Sequence, residues 1–213
     1  LEIKATTMDL NLAYTRAIDL MELINMAKAA ETQQSISEQE YLDGEKLSDT
    51  RHEYVDGYVY AMAGSSRRHA EIALNIATSI KQAAKGTPCK TYVSDIKVHA
   101  ASHKSYFYPD VVVGCDDNES NDYYLEAPCL IVEVLSESTE KRDRREKLLA
   151  YMNIPSVQAY MLVAQDRAEV ELYYREESGN WWVQVYEQMD DSFLLPCVNQ
   201  QVTVADVYDG VSF

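Results

Sequence analysis

Leu130-Ile131-Val132-Glu133-Val134-Leu135 places one carboxylate inside an otherwise unbroken apolar run. Such a run, without polar alternation, predicts a strand covered on both faces, as in the middle of a layered sheet. An ionised Glu133 there is costly unless a cation meets it, so the choices are an ion pair, protonation or a metal ion. Upstream, Pro109-Asp110-Val111-Val112-Val113 opens a second buried-looking strand on an acid. An Asp at the start of a strand commonly caps a turn. Together with Glu133 it also offers two hard oxygen ligands. Mg²⁺ accepts one or two carboxylates along with water and phosphate oxygens, and the main-chain carbonyl of Val134 is a candidate third donor.

Outward from this pair, turn and cap signals divide the chain. Tyr54-Val55 and Tyr58-Val59-Tyr60 flank Asp56-Gly57, which predicts a hairpin over 52–62 because both turn residues accept positive φ. Ser65 and Ser66 cap a helix with Ala73, Ile76, Ala77, Ile80 and Ala84 on one face, stopped by Gly86 and Pro88. Strands are predicted at about 90–98, 108–114 and 129–135, then a helix from Ser138 or Thr139 to Asn153, a strand at 159–164, and a closing hairpin of 169–174 with 181–186. Ser35 with Glu38, and Ser37 with Glu40, each offer a capping box for a short helix ending near 44–48. Leu10, Tyr14, Ile18, Met21, Ile24 and Met26 recur at roughly helical spacing. The expected organisation is a helical extension over 1–31 and one domain over 32–213, α/β or α+β in class, with helices packed on a mixed sheet.

A chain of 213 residues can bury one sizeable core, and 46% apolar with 25% charged residues excludes wholesale disorder. No run reaches transmembrane length, so no membrane partner is expected. Asp9, Arg16, Asp19 and Glu22 interrupt the N-terminal apolar stretch, which a signal-peptide core would not tolerate, and a cytoplasmic location follows as the expectation. Cys89, Cys115, Cys129 and Cys197 are dispersed and form no C-x-x-C pair, so reduced, mostly buried thiols are expected. The net charge of −16 argues against a protein that coats nucleic acid. Local cations at Arg67, Arg68 and the run KRDRREK over 141–147 soften that argument. A Gly-rich phosphate loop and a nucleophile elbow are both missing.

The stretches RHEYVDGYVYAMAGSSRRHAEIALNI (51–76), YVSDIKVHA (92–100), YPDVVV (108–113) and LIVEVLSESTEKRDRREKLLAYMNIPSVQAYMLV (130–163), with the closing hairpin, resemble the Uma-two family of restriction endonucleases. The resemblance covers about 35–209 and implies the PD-(D/E)XK nuclease fold, a Mg²⁺ cofactor with Mn²⁺ as substitute, and DNA as substrate. By that resemblance Asp110 is the acid of the Pro-Asp motif and Glu133 that of the E-x-K motif. The chain departs from the pattern at Leu135, where the superfamily carries lysine.

The resemblance moves that role to Lys147 on the following helix, although Asp143 four residues earlier makes a surface ion pair an equal reading. Lys97, two residues after Asp95, is a second candidate, and Asp95 matches a recurrent acid of the family and is carried as a metal ligand. Glu53 resembles the first-helix acid of the superfamily, with an exposed charge beside Arg51 as the other reading. His69 opens a helix and matches a family position. His99 and His103 lack helical ligand spacing, which speaks against zinc. The leading expectation is a Mg²⁺-dependent endonuclease, Asp110 and Glu133 converging in one cleft, working as a homodimer because two-fold symmetry suits two antiparallel strands. The alternative is a non-catalytic nuclease-fold protein that binds nucleic acid or a protein partner.

Overall fold

A computed structural model describes residues 35–116 and 121–213, and the helical extension expected over 1–31 lies outside them. Ser37 closes the capping box that starts α1 (Glu38–Glu45). The Asp56-Gly57 turn, with φ of 43° and 99°, joins β1 (His52–Val55) to β2 (Tyr58–Ala61), as the sequence predicts. Ser66 accepts from the His69 amide and caps α2 (Arg67–Ala83), which buries Ile72, Ala73, Ile76, Ala77 and Ile80.

The single strand expected over 90–98 is two, β3 (Lys90–Val93) and β4 (Lys97–Ala100), and they belong to different sheets. Ser94 and Asp95 between them hold left-handed φ of 51° and 58°, a conformation that residues with a Cβ rarely take, and this bend sends the chain across. β5 (Ser105–Phe107) and β6 (Val111–Gly114) replace the expected strand at 108–114, and β7 (Tyr124–Leu125) precedes β8 (Pro128–Leu135). Helix α3 runs from Glu140–Arg142 through a π-turn at Asp143–Lys147 into Leu148–Met152. It is the crossover that the parallel pair of β8 and β9 (Ala159–Ala164) requires. The hairpin of β10 (Val170–Arg175) and β11 (Trp181–Tyr186) does not close the chain: β12 (Ser192–Leu195), β13 (Gln200–Thr203) and α4 (Val204–Val207) follow.

The strands form a six-stranded mixed sheet in the order β11-β10-β9-β8-β6-β3, a five-stranded sheet in the order β2-β1-β5-β4-β7, and the β12-β13 pair. The six-stranded sheet is central. One face meets α2, β12-β13 and α4 through residues such as Val111, Val132, Val134, Met161 and Ile76. The other meets α3 and the five-stranded sheet through Val112, Ile131, Tyr151, Tyr160, Val98 and Phe107. This double covering is why β8 reads as a continuous apolar run, all eight of its residues being buried. Among the described residues, no helix is long and apolar enough to cross a membrane.

The cysteines correct the expectation of free thiols. Cys89 is bonded to Cys115 and Cys129 to Cys197. The first bridge joins residues that flank the paired Lys90 and Gly114, and the second ties β8 to the β12-β13 turn. Neither neighbourhood is visible as a spacing motif, because the first is made by β3–β6 pairing across 26 residues and the second by packing of the β12-β13 pair on the central sheet across 68. Closing loops of that size stabilises by about 2–4 kcal/mol each. Cys129→Ser should lower the urea midpoint correspondingly, and adding a thiol reductant to the unmodified chain should lower it further; identical midpoints with and without reductant would show that the bridges contribute nothing.

Candidate active site

Alternation along β8 puts Val132 and Val134 on the α2 face and Glu133 on the α3 face. There Lys147 Nζ reaches Glu133 Oε1 at 3.0 Å, Glu53 Oε1 at 2.8 Å and Asp143 Oδ1 at 3.1 Å. Asp143, Lys147 and Tyr151 follow one another at intervals of four on α3, and the Tyr151 hydroxyl donates to Glu133 Oε1 at 3.3 Å. Tyr160 donates to the Asp143 carbonyl at 3.1 Å, and Arg142 donates to Glu53 Oε2 at 3.0 Å. The cluster is sealed: Lys147 is 3% exposed, Glu133 4%, Glu53 5% and Asp143 1%. Two expectations are thereby corrected. Lys147 is no exposed helix position, and its bond to Asp143 is not a surface pair. Glu53 lies on strand β1, as the 52–62 hairpin predicts, but it is buried rather than exposed beside Arg51.

Burial raises the Glu133 carboxyl well above the usual range, and Asp143, Asp110 and Glu53 add to the rise, against the pull of Lys147. Burial works against the charged form of Lys147 too, but Glu133, Glu53 and Asp143 outweigh it and raise its pKa well above the ordinary lysine value. Both shifts have the same sense: an acid-rich interior retains positive charge, whether as protons or as ammonium.

Asp110 stands just before β6 at the end of the sheet, one step beyond the Val111–Val132 pair. Its Oδ2 accepts the Val134 amide at 2.7 Å, and its Oδ1 lies 2.8 Å from His69 Nε2 on α2. Asp110 and Glu133 therefore sit near each other at one end of two paired strands and interact electrostatically, yet their hydrogen bonds run to different partners, His69 for one and Lys147 with Tyr151 for the other. Among the described residues no group of three or more His, Cys, Asp or Glu side chains converges closely enough to hold a metal ion.

Lys97 and Asp95 are not brought to this cluster. Lys97 shares a face of the five-stranded sheet with Tyr106 and Tyr108, beneath α1, and donates to the Tyr108 hydroxyl at 3.3 Å, which in turn donates to Glu45 at 3.0 Å. Burial lowers its pKa despite Glu45 nearby. Asp95 is exposed and lies 3.5 Å from Arg51 Nε. In the run 141–147, Arg142 pairs with Glu53 and Glu146, and Arg144 with Glu140, Glu169 and Glu171, while Lys141 and Arg145 are exposed. The His69 pair with Asp110 is the contact that sequence reading missed, because it joins residues 41 apart on different elements.

A cavity of about 330 Å³ opens at the carboxyl ends of β8 and β9, where α/β sheets commonly receive ligands. Its lining includes Arg68, Leu135, Ser136, Gln165 and Arg167, so the chain neighbours of His69 and Val134 form part of its wall.

Comparison with known proteins fits this architecture. The model of the family described as "Uma2: Putative restriction endonuclease" matches residues 38–205. The chain belongs to the Uma2 family. Two curated relatives come from Synechocystis sp.: the uncharacterized protein slr1290, 35% identical over 84% of this chain and 94% of its own length, and the uncharacterized protein sll1609, 32% identical over 67% and 82%. The crystal structure titled as "a putative nuclease belonging to DUF820" from Anabaena variabilis superposes with a TM-score of 0.62 over 75% of this chain and 90% of that one, at 16% identity. That likeness establishes the restriction-endonuclease-like fold. In the Uma2 chain Asp110 and Glu133 lie at the end of two adjacent strands, and Leu135 stands two residues after Glu133.

Removing Lys147 leaves carboxylates buried without their cation, so Lys147→Ala should cost about 3–5 kcal/mol of unfolding free energy. The stability that Lys147 contributes is complete below the ordinary lysine value of 10.5 and is lost as pH rises above it through the raised folded-state value. Urea titrations at pH 8 and pH 11 should show the unmodified chain losing stability and Lys147→Ala losing less. A Lys147→Ala loss below about 1 kcal/mol would contradict the buried-cluster account.

Proposed function

We propose that this Uma2 protein is an endonuclease that hydrolyses DNA phosphodiester bonds with a divalent cation, Mg²⁺ or Mn²⁺, held by Asp110 and Glu133. The observation that carries the reading is the pairing of β6 with β8, which sets Asp110, one step beyond the Val111–Val132 pair, beside Glu133 at the end of the sheet. Glu53 and Asp143 add two further acids around Glu133, with Lys147 among them. The donor set fits a hard ion, which needs only one or two protein carboxylates when water and phosphate oxygens complete the shell. Such an ion supplies charge to the phosphate and makes water more acidic.

The residues of the chain take the remaining roles. The Val134 amide aims Asp110 by holding one of its oxygens. Lys147 acts through Glu133 as a positioning residue: it opposes protonation of that carboxyl and fixes its place with Tyr151. Reaching in from α3, it stands in for the lysine that Leu135 replaces on the strand. Lys97 lies on the far face of the five-stranded sheet beneath α1, and this reading gives it no part in the reaction.

Purified chain incubated with Mg²⁺ or Mn²⁺ and supercoiled, linear or single-stranded DNA should cleave at least one form. Glu133→Gln and Asp110→Asn should each abolish cleavage, and Lys97→Ala should retain it in protein that remains folded. The net charge of −16 and the internal pairing of the α3 cations support a second reading, a non-catalytic binding protein. Absence of both divalent-ion binding and cleavage would favour it. The homodimer expected from symmetry belongs to the same proposal, and light scattering at micromolar concentration checks it.

A further inference from the structure

We propose that His69 is a metal ligand, so that its Nε2 and the Asp110 Oδ1 form a mixed nitrogen and oxygen donor pair and the site prefers Mn²⁺ or a later divalent ion to Mg²⁺. The inference rests on the reading of Asp110 as a metal-holding carboxylate and assigns the site a ligand beyond that reading.

Three observations support it. His69 Nε2 and Asp110 Oδ1 lie 2.8 Å apart. Two donors at about 2.1 Å from one ion, at right angles, stand about 3 Å from each other, so small outward shifts admit an ion between them. Both groups are also held from behind. The His69 amide donates to Ser66 Oγ at 3.1 Å, Ser66 donates to Gln165 at 2.9 Å, and Arg68 donates to the Gln165 carbonyl at 3.3 Å, which fixes the start of α2 against the end of β9. Asp110 is held through its other oxygen by Val134. Such outer contacts are what orient metal-binding side chains.

The pair is accessible where Glu133 is not. The side chains of His69 and Asp110 are 13% and 22% exposed, against 5% for Glu133. Arg68, the chain neighbour of His69, lines the cavity at the ends of β8 and β9. Imidazole nitrogen suits transition ions better than it suits Mg²⁺, and this sets the expected order of preference.

The test uses Mn²⁺ bound to the full chain, read by electron spin echo modulation together with binding titrations. The unmodified chain should show modulation from a directly bound nitrogen and bind Mn²⁺ more tightly than Mg²⁺. In His69→Gln, checked as folded by circular dichroism, that nitrogen signal should vanish, Mn²⁺ affinity should fall by about 10–100-fold, and the preference over Mg²⁺ should narrow. Nitrogen modulation that persists in His69→Gln, or bound Mn²⁺ without it in the unmodified chain, overturns the assignment of His69 while leaving Asp110 as ligand intact. Mn²⁺ binding that is absent, or is unchanged in Asp110→Asn, defeats the metal-dependent reading itself and this inference with it.

Discussion

One ammonium group buried among three carboxylates is the constraint around which the layers are arranged. Lys147 contacts Glu53 from the five-stranded sheet, Glu133 from the central sheet and Asp143 from its own helix. The interaction is local in space and long-range in sequence. If α3 slid by one residue against the sheets, Lys147 would carry Asp143 with it, and the two strand carboxylates, Glu53 and Glu133, would lose this partner. A buried ion cluster of this kind is a poor source of net stability, since apolar residues of the same volume often do as well. Its penalty for misalignment, however, is severe, and it therefore selects one register of helix against sheet. The π-turn at Asp143–Lys147 lies where that register is set.

The end of the sheet where Asp110, Glu133 and His69 gather combines two environments. On the α3 side charges are locked together and dry. On the α2 side a carboxylate and an imidazole remain partly open. In the Uma2 chain the strand carries Leu135 two residues after Glu133, and the cation beside that acid is Lys147 of α3. A cation arriving from a helix needs no strand position, provided that the strand beneath stays apolar around the one acid it faces.

Much of this was legible in the chain, and the boundary is physical. The apolar run 130–135 announced a doubly covered strand because periodicity is a local property, and the Asp56-Gly57 turn and the Ser37 and Ser66 caps were legible for the same reason. The spacing of Asp143 and Lys147 was visible, but its meaning was not: i and i+4 residues share a helix face whether that face meets water or a sheet. The same limit applies to the run 141–147, where the cations are plain in the sequence while three of the acids that satisfy them, Glu53, Glu169 and Glu171, lie far along the chain. The strand over 90–98 was read as one because β-forming residues flank the break, whereas tertiary pairing to two sheets bends Ser94 and Asp95 into a conformation that their types do not favour. Bridges such as Cys129–Cys197 and contacts such as His69–Asp110 are products of topology and leave no local pattern.

The self-satisfied Arg142 and Arg144 of α3 have a bearing on how a polyanion would approach. A protein that greets nucleic acid with free guanidinium groups binds it more weakly as salt is added, because counterions compete for the phosphates. Here Arg142 and Arg144 are already neutralised by the protein's own acids, within a chain carrying sixteen more formal negative than positive charges. Long-range repulsion then opposes the first encounter, and dissolved ions shorten its reach from about 30 Å at 0.01 M to about 8 Å at 0.15 M. Association with a nucleic acid should accordingly quicken, rather than slow, over that range of ionic strength.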